Sequence, residues 1–191
     1  MYSNPTEVYT ANIKRYRAST SRLARQTRRI SLLRLIVFLS AGLLVYWFAT
    51  INSQAGIFSS LFAGIGFFLL LVKYHSRIIS KRDLAGALTE INEKEIKVLD
   101  HEFRQYPSGT EFIDHTHRYA SDLDLFGDGS LFQFVNRAAT FPGKKKIADR
   151  LCEPIPDHDE ILRNQQAIAE LTHLINFRQK FGAIGQVYKE E

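Results

Sequence analysis

The chain has 191 residues, of which 45% are hydrophobic and 24% charged, and its net charge is +5. This length fits one compact domain with a small additional segment and excludes a large multidomain enzyme. The single cysteine, Cys152, excludes an internal disulfide and a multi-cysteine metal site. It fits a reducing compartment, where an unpaired cysteine behaves as a small buried apolar residue.

The first element is a basic N-terminal segment, residues 1–34. Eight lysines and arginines stand there against one acid, Glu7. This excess of bases is larger than the net charge of the whole chain, +5, so the rest of the chain is slightly acidic. Such an arm binds anionic lipid or nucleic acid. Its position directly before an apolar run favours lipid. A DNA-tethering arm that uses Arg25, Arg28 and Arg29 is the alternative.

Two apolar runs without charge follow, over residues 35–51 and 57–72. Each is slightly shorter than the ~20 residues that cross a hydrocarbon core, but Arg34 and Lys73 extend them by snorkelling. A secretory signal peptide is disfavoured by the second run, and a buried soluble helix pair by the lack of a polar stripe. We therefore predict a two-helix transmembrane hairpin over residues 35–73, with a short turn at 52–56.

The bases around this hairpin predict its orientation. The N-terminal segment precedes it, and Lys73, Arg77, Lys81 and Arg82 follow it, whereas the turn has no base. The positive-inside rule places both termini in the cytoplasm, as for a protein of the inner (cytoplasmic) membrane. Neither run contains a charge that would mark a transport pathway, which indicates an anchor bound to membrane lipid.

A connecting segment, residues 74–110, comes next. Leu84, Leu88 and Ile91 recur at helical intervals and predict a helix from Lys81 to about Gln105. The turn-forming residues 107–109 end it. We expect this helix to pack on the following domain or on a partner subunit.

Residues 111–191 form a second region that is predicted to be helical. The dipeptide Asp128-Gly129 predicts a helix start, with residues 130–137 following. Thr140 or Phe141 is expected to cap the next helix, over 144–151, because a proline in the first turn is favourable.

Residues 153–156, which include two prolines, predict the end of that helix. Asp157 and Glu160 resemble a capping box that opens a longer helix, over 157–180. The whole chain is thus predicted to be all-α.

Several patterns in the sequence are candidates for chemical sites. His115 and His117 share a face if their segment is extended, but no further metal ligand is evident. A calcium loop starting at Asp122 lacks the acidic residue at its twelfth position. The basic cluster 144–146 with Arg150 is read as a solvated helix face, with phosphate contact as the alternative. Residues 182–185 lack the third glycine of a dinucleotide motif. We therefore predict no catalytic, cofactor-binding or metal-binding residues in this chain.

Between residues 119 and 178 an ordered set of residues resembles the start of the core, or lever, domain of the MutS-type DNA mismatch-repair ATPases. The set is Leu123-Asp124-Leu125, Ser130-Leu131-Phe132, Val135-Asn136-Arg137, Thr140, Gly143, Ile147, Leu151, Pro154, Gln165, Ile168 and Leu171. The spacing runs without gaps from Leu131 to Leu171. The resemblance covers about a third of the chain.

The resemblance implies an all-helical domain over residues 111–191 that connects DNA-clasping elements to a C-terminal ATPase. That ATPase, with its ATP and Mg²⁺, would lie beyond Glu191, so the chain is expected to be the N-terminal part of a longer protein. Dimerisation and DNA binding would belong to that full-length protein. Two alternatives remain: a standalone membrane-tethered interaction protein, and the DNA tether.

Overall fold

The computed structural model describes residues 4–153 and 157–188 of the chain. Six α-helices follow one another in this part: α1 (Pro5–Thr50), α2 (Gln54–Leu99), α3 (Leu131–Val135), α4 (Phe141–Cys152), α5 (His158–Thr172) and α6 (Ile175–Val187). A short 3₁₀ helix covers Thr110–Phe112, and the described residues contain no strand. The predicted all-α class is confirmed.

The chain divides into two compact units. The hairpin unit comprises residues 15–86. The polar unit comprises residues 1–14 and 87–191, of which 4–14, 87–153 and 157–188 are described. Helices α1 and α2 each supply residues to both units.

Helix α1 begins earlier than the predicted span and includes most of the basic segment. Asn4 precedes Pro5, and its Oδ1 accepts a hydrogen bond from the Thr6 N–H at 3.1 Å. This is a favoured helix start. Asparagine is a preferred N-cap residue, and proline has no N–H that would need a partner in the first turn. Arg25, Arg28 and Arg29 are exposed on this helix.

The turn between α1 and α2 is shorter than predicted. Residues 51–53 are non-helical, with Asn52 at φ 54°, and α2 starts at Gln54. The hydroxyl of Ser53 accepts a hydrogen bond from the Gly56 N–H at 3.3 Å. Because Ser53 caps the helix, residues 54–56 of the predicted turn form the first helical turn instead.

The hairpin unit contains the two apolar runs. Both α1 and α2 are long and apolar enough to span a membrane by length and composition, and no residue of either apolar window is buried. A Cβ added to Gly64 of α2 would lie 2.9 Å from the Cβ of Ala41 of α1, so the helices approach closely there. Small residues permit such approach between membrane helices.

Helix α2 ends at Leu99, earlier than the predicted limit near Gln105. The Glu102 N–H donates to the Lys97 carbonyl and the His101 N–H to the Val98 carbonyl, while His101 adopts φ 61°. This pair of bonds is a Schellman cap, which usually places glycine at the left-handed position. Because histidine occupies that position here, the sequence carries no glycine signal for the end of the helix.

The core of the polar unit is aromatic. Phe132 of α3 is fully buried, and its ring lies 5.4 Å from that of Phe112 and 5.6 Å from that of Phe126, between centroids. Ser130 caps α3 by accepting from the Gln133 N–H, so this helix starts one residue later than predicted and ends at Val135. Gly109 has φ 72°, and a Cβ there would lie 2.5 Å from the Phe132 ring.

The caps predicted for the later helices are partly confirmed. Thr140 caps α4 by accepting from the Gly143 N–H, and a proline lies in the first turn. Asp157 caps α5 by accepting from the Asp159 N–H, but Glu160 pairs with Arg150 instead of closing a capping box. Residues 154–156, including Pro154, lie outside the described residues.

The single helix predicted over 157–180 is wrong, because two helices occupy this range. Leu174 leaves the helical region with φ −92° and ψ 50°, and it separates α5 from α6. No glycine or proline marks this break in the sequence. The two helices on either side of the break differ in burial. Helix α5 has no buried residue, whereas α6 buries Gln179 and Ala183.

Candidate functional site

Three side-chain amides from distant segments meet in the polar unit. Asn92 of α2 is fully buried, and its Oδ1 accepts from Gln179 Nε2 at 2.8 Å, while its Nδ2 donates to Gln179 Oε1 at 3.2 Å. Asn12 of α1 donates from Nδ2 to Asn92 Oδ1 at 3.2 Å. The second hydrogen of Asn92 Nδ2 goes to the Leu88 carbonyl at 2.7 Å. This amide cluster satisfies its buried groups and connects α1, α2 and α6 within the unit.

A cavity of about 180 Å³ lies beside the amide cluster. We call it the basic cleft, because three of its lining residues are cations and one is an acid. Its polar lining consists of Tyr9, Lys94, Glu95, Arg137, Arg178, Gln179 and Gln186. Apolar contacts come from Ile91, Ala138, Ile175 and Gly182.

The acid of the cleft is paired with one of its cations. Arg137 Nε lies 2.6 Å from Glu95 Oε1, and Arg137 Nη1 donates to the Phe134 carbonyl at 2.7 Å. Arg178 Nη2 donates only to the Thr172 carbonyl, at 3.4 Å, and no described carboxylate pairs with it. The cleft therefore has excess positive charge.

Lys94 is held by groups that carry no full negative charge. Its Nζ lies 3.5 Å from the Asn136 carbonyl oxygen and 4.5 Å from the centroid of the Tyr106 ring. Burial and then the nearby Arg137 lower the pKa of Lys94 from its ordinary value, because both disfavour the charged amine. The charged form thus has a free-energy cost at this position.

Tyr9 brings a phenol to the same cleft. Burial, followed by the charge of Glu95, raises the pKa of Tyr9 above its ordinary value, and Arg178 and Arg137 act in the opposite direction. The phenol therefore stays protonated near neutral pH, where it is available as a hydrogen-bond donor.

The basic cluster of the sequence is divided between two roles. Lys144 lines a neighbouring cavity of about 260 Å³ together with Lys94, Glu90 and Gln186. Lys145 instead pairs with Asp149 at 3.0 Å, and Arg150 pairs with Glu160. The solvated-face interpretation therefore fits Lys145 and Arg150, whereas Lys144 extends the basic surface near the cleft.

The two histidines considered as metal ligands do not share an extended strand. Asp114 Oδ1 accepts from the N–H and the hydroxyl of Thr116, which forms a turn and lowers the pKa of the Asp114 carboxyl. His115 is exposed. Among the described residues, no group of three or more potential metal-binding side chains occurs.

His117 makes a structural contact. Its Nε2 lies 3.1 Å from the Cys152 carbonyl oxygen, and its Nδ1 accepts from the Ala120 N–H at 3.2 Å. The Tyr119 hydroxyl donates to the same carbonyl. The His117 ring thus connects the Cys152 carbonyl at the end of α4 to the backbone at Ala120. The Cys152 thiol is half-buried, and this burial is the main reason that its pKa is raised.

The remaining patterns are also structural. Asp128, in the middle of the candidate calcium loop, pairs with Arg104 at 3.0 Å. Gly182 and Gly185 lie within α6, where Gly182 lines the basic cleft and a Cβ on Gly185 would lie 3.1 Å from that of Ala139. These glycines permit close packing and do not form a phosphate-binding loop.

Sequence reasoning did not find the cleft or the amide cluster. One signal was present: Asn92 lies four residues after Leu88 on the face that the helical pattern assigns to the core. A polar residue in that position predicts a buried hydrogen-bond network. Tyr9, Arg178 and Gln186 carry no comparable signal, because their proximity depends on how separate segments pack.

Comparison of the chain with protein-family models, curated proteins and solved structures found no match.

Proposed function

We propose that the chain is the anchoring and lever portion of a membrane-bound MutS-related ATPase, with no catalytic site of its own. In this proposal the apolar runs bind membrane lipid, and the polar unit connects them to a DNA-binding and ATP-hydrolysing module that follows Glu191. The carrying observation is that α1 and α2 contain the apolar runs and also contribute residues 5–14 and 87–99 to the polar unit. An anchor needs this continuity of chain between membrane and domain.

Five of the residues that carry the MutS resemblance have structural roles that support the proposal. Leu125, Phe132 and Asn136 are buried, Arg137 is paired with Glu95, and Thr140 caps α4. A lever domain needs residues that fix packing and helix ends, because it contributes no chemistry.

The alternative is a membrane-tethered helical interaction protein without an ATPase. The observation that favours it is a set of large apolar side chains exposed on α5, on α6 and at the junction between them: Leu162, Ile168, Leu171, Leu174, Phe177, Phe181 and Ile184. Large exposed apolar surfaces mark interaction sites. Both proposals require a cover for these helices, which is either the continuation of a lever domain or a separate partner.

The mass of the intact protein in membrane fractions distinguishes the two proposals. An antibody raised against residues 100–191 should detect a species several times heavier than 21.9 kDa if an ATPase follows. That species should hydrolyse ATP. A species close to 21.9 kDa would exclude the ATPase proposal and favour the interaction protein.

We further propose that both termini lie in the cytoplasm, supported by the basic residues on both sides of the hairpin and their absence from the turn. In a Cys152→Ser background, single cysteines at Ala18, Ser53 and Ser121 test this topology. A membrane-impermeant maleimide applied to intact cells should label Ser53→Cys only. Labelling of Ala18→Cys or Ser121→Cys before lysis would contradict the proposed orientation.

A further inference from the structure

We propose that the basic cleft of the polar unit is a binding site for a phosphate group, with Arg178, Lys94 and Tyr9 as its main donors. These residues come from α6, α2 and α1, and they line one cavity of about 180 Å³. This inference is independent of the proposed membrane anchor and of any ATPase beyond the chain.

The charge balance of the cleft favours an anion. Its one lining carboxylate, on Glu95, is already engaged by Arg137 at 2.6 Å. Lys94 and Arg178 each donate a hydrogen bond to a carbonyl oxygen, and the Lys94 amine also lies over the Tyr106 ring. Neither of these two cations pairs with a carboxylate in the described part of the chain. The two cations repel each other, and charge-assisted hydrogen bonds to an anion would offset this repulsion more strongly than bonds to neutral acceptors do.

An amide with an unused polar atom also lines the cavity. Gln186 Oε1 is buried and has no hydrogen-bond partner among the described residues, and Gln186 lines both the basic cleft and the neighbouring cavity. A buried amide without a partner is costly. Rotation of this amide by half a turn would put its Nε2 donor in the same place, where an anion would accept from it.

The size of the cavity limits the ligand. At roughly 30 Å³ per molecule of liquid water, it holds about six waters. Pockets for drug-sized ligands measure about 300–1,000 Å³, so the smaller volume of this cleft favours a small anion. A single phosphate group fits, either as free inorganic phosphate or as the head of a larger molecule that extends outside.

The test uses the full chain in maltoside micelles, which contain no phosphate. Isothermal titration calorimetry measures binding of inorganic phosphate in one arm and of short-chain phosphatidic acid in the other, with short-chain diacylglycerol as the lipid control. We expect saturable binding of at least one phosphate compound and none of diacylglycerol. The arm that binds more tightly identifies a soluble or a lipid source of the phosphate.

Arg178→Gln is the decisive variant, because the hydrogen bond that Arg178 makes within the described residues, to the Thr172 carbonyl, is long at 3.4 Å. Loss of a charged donor should weaken phosphate binding about tenfold or more. Arg178→Lys, which keeps the charge, should retain part of the affinity and guards against a folding effect. The matched control is Arg163→Gln on α5, outside the cleft, where Arg163 pairs with Asp157 at 3.6 Å.

Two results would overturn the assignment. One is the absence of saturable binding of either phosphate compound to the wild-type chain at millimolar concentration. The other is binding that Arg178→Gln and Arg163→Gln weaken equally, because that pattern indicates general attraction to a positively charged protein.

Discussion

Asn92 and Gln179 are 87 positions apart in the sequence, yet their side-chain amides exchange two hydrogen bonds, at 2.8 and 3.2 Å. Asn92 is fully buried, and Gln179 is nearly so. A reciprocal amide pair has little tolerance for sliding, because each donor must face the acceptor of the other. The pair therefore fixes the register of α6 against α2 more tightly than apolar packing alone.

Truncation of Gln179 should loosen α6. Gln179→Ala leaves the side-chain oxygen of Asn92 without its closest donor. A buried polar group that loses its hydrogen-bond partner lowers the free energy of unfolding by about 1–3 kcal/mol. Hydrogen–deuterium exchange of the α6 amides in the micelle-bound chain should accelerate roughly tenfold, corresponding to ~1.4 kcal/mol. Gln166→Ala, at an exposed position on α5, is the control and should leave exchange unchanged.

Replacement of both amides provides a sharper version of this prediction. The double variant Asn92→Leu with Gln179→Leu removes both buried partners, and such replacements can be nearly neutral. We expect exchange in α6 to be slower in the double variant than in Gln179→Ala. Equal or faster exchange would mean that packing volume, and not hydrogen bonding, determines the stability of this contact.

Gly109 should tolerate no side chain. It has φ 72°, and an added Cβ would lie 2.5 Å from the fully buried Phe132 ring, which has little freedom to move. Gly109→Ala should destabilise the polar unit by about 2 kcal/mol or more. The comparison variant is Gly86→Ala, because Gly86 is helical with open space around it.

Gly86→Ala should be neutral or stabilising by about 0.5–1 kcal/mol, since alanine is the better helix former. Urea titration of the micelle-bound chain, followed by circular dichroism, measures both variants. A Gly109→Ala chain as stable as wild type would show that the loop at 109 can move away from Phe132.

The lowered pKa of Lys94 predicts a pH-dependent effect. Since this pKa is lower in the folded chain than in the unfolded one, the unfolded chain binds more protons between the two values. Stability should therefore rise with pH across that window, and below it the cost of the charged amine is constant. Arg137→Gln removes a repulsive charge and frees Glu95, so it should raise the pKa of Lys94.

Reductive ¹³C-methylation of the lysines, followed by an NMR pH titration, measures this shift. The Lys94 signal, assigned from its absence in Lys94→Met, should titrate below the ordinary lysine value and move upward in Arg137→Gln. Arg163→Gln should not move it. A Lys94 signal with the ordinary value would contradict the burial of this amine.

The sequence was sufficient for the features that depend on neighbouring residues. The two apolar runs, the cap at Thr140 and the cap at Asp157 are local patterns, and all appear in the structure. The ends of α2 and α5 were missed because His101 and Leu174 take non-helical conformations without glycine or proline. The basic cleft was missed for a different reason, since Tyr9 and Arg178 come together only through tertiary packing.

The close approach of α1 and α2 within the hairpin unit leads to a last prediction, which compares two glycines of one helix. A side chain on Gly64 would meet the Cβ of Ala41, at 2.9 Å, whereas nothing lies within 4 Å of a Cβ on Gly66. Helix pairs with small residues at the contact lose their close packing when these are enlarged. Gly64→Leu should therefore separate the helices, and Gly66→Leu should not.

Spin labels at the exposed positions Ile36 and Leu70, in a Cys152→Ser background, report this separation by pulsed electron paramagnetic resonance. The distance distribution should broaden and shift to longer values for Gly64→Leu in lipid nanodiscs, and stay unchanged for Gly66→Leu. Identical shifts in both variants would show that bulk on either face disturbs the hairpin. Unchanged distances in both would show that Ala41 and Gly64 do not set the spacing of the helices.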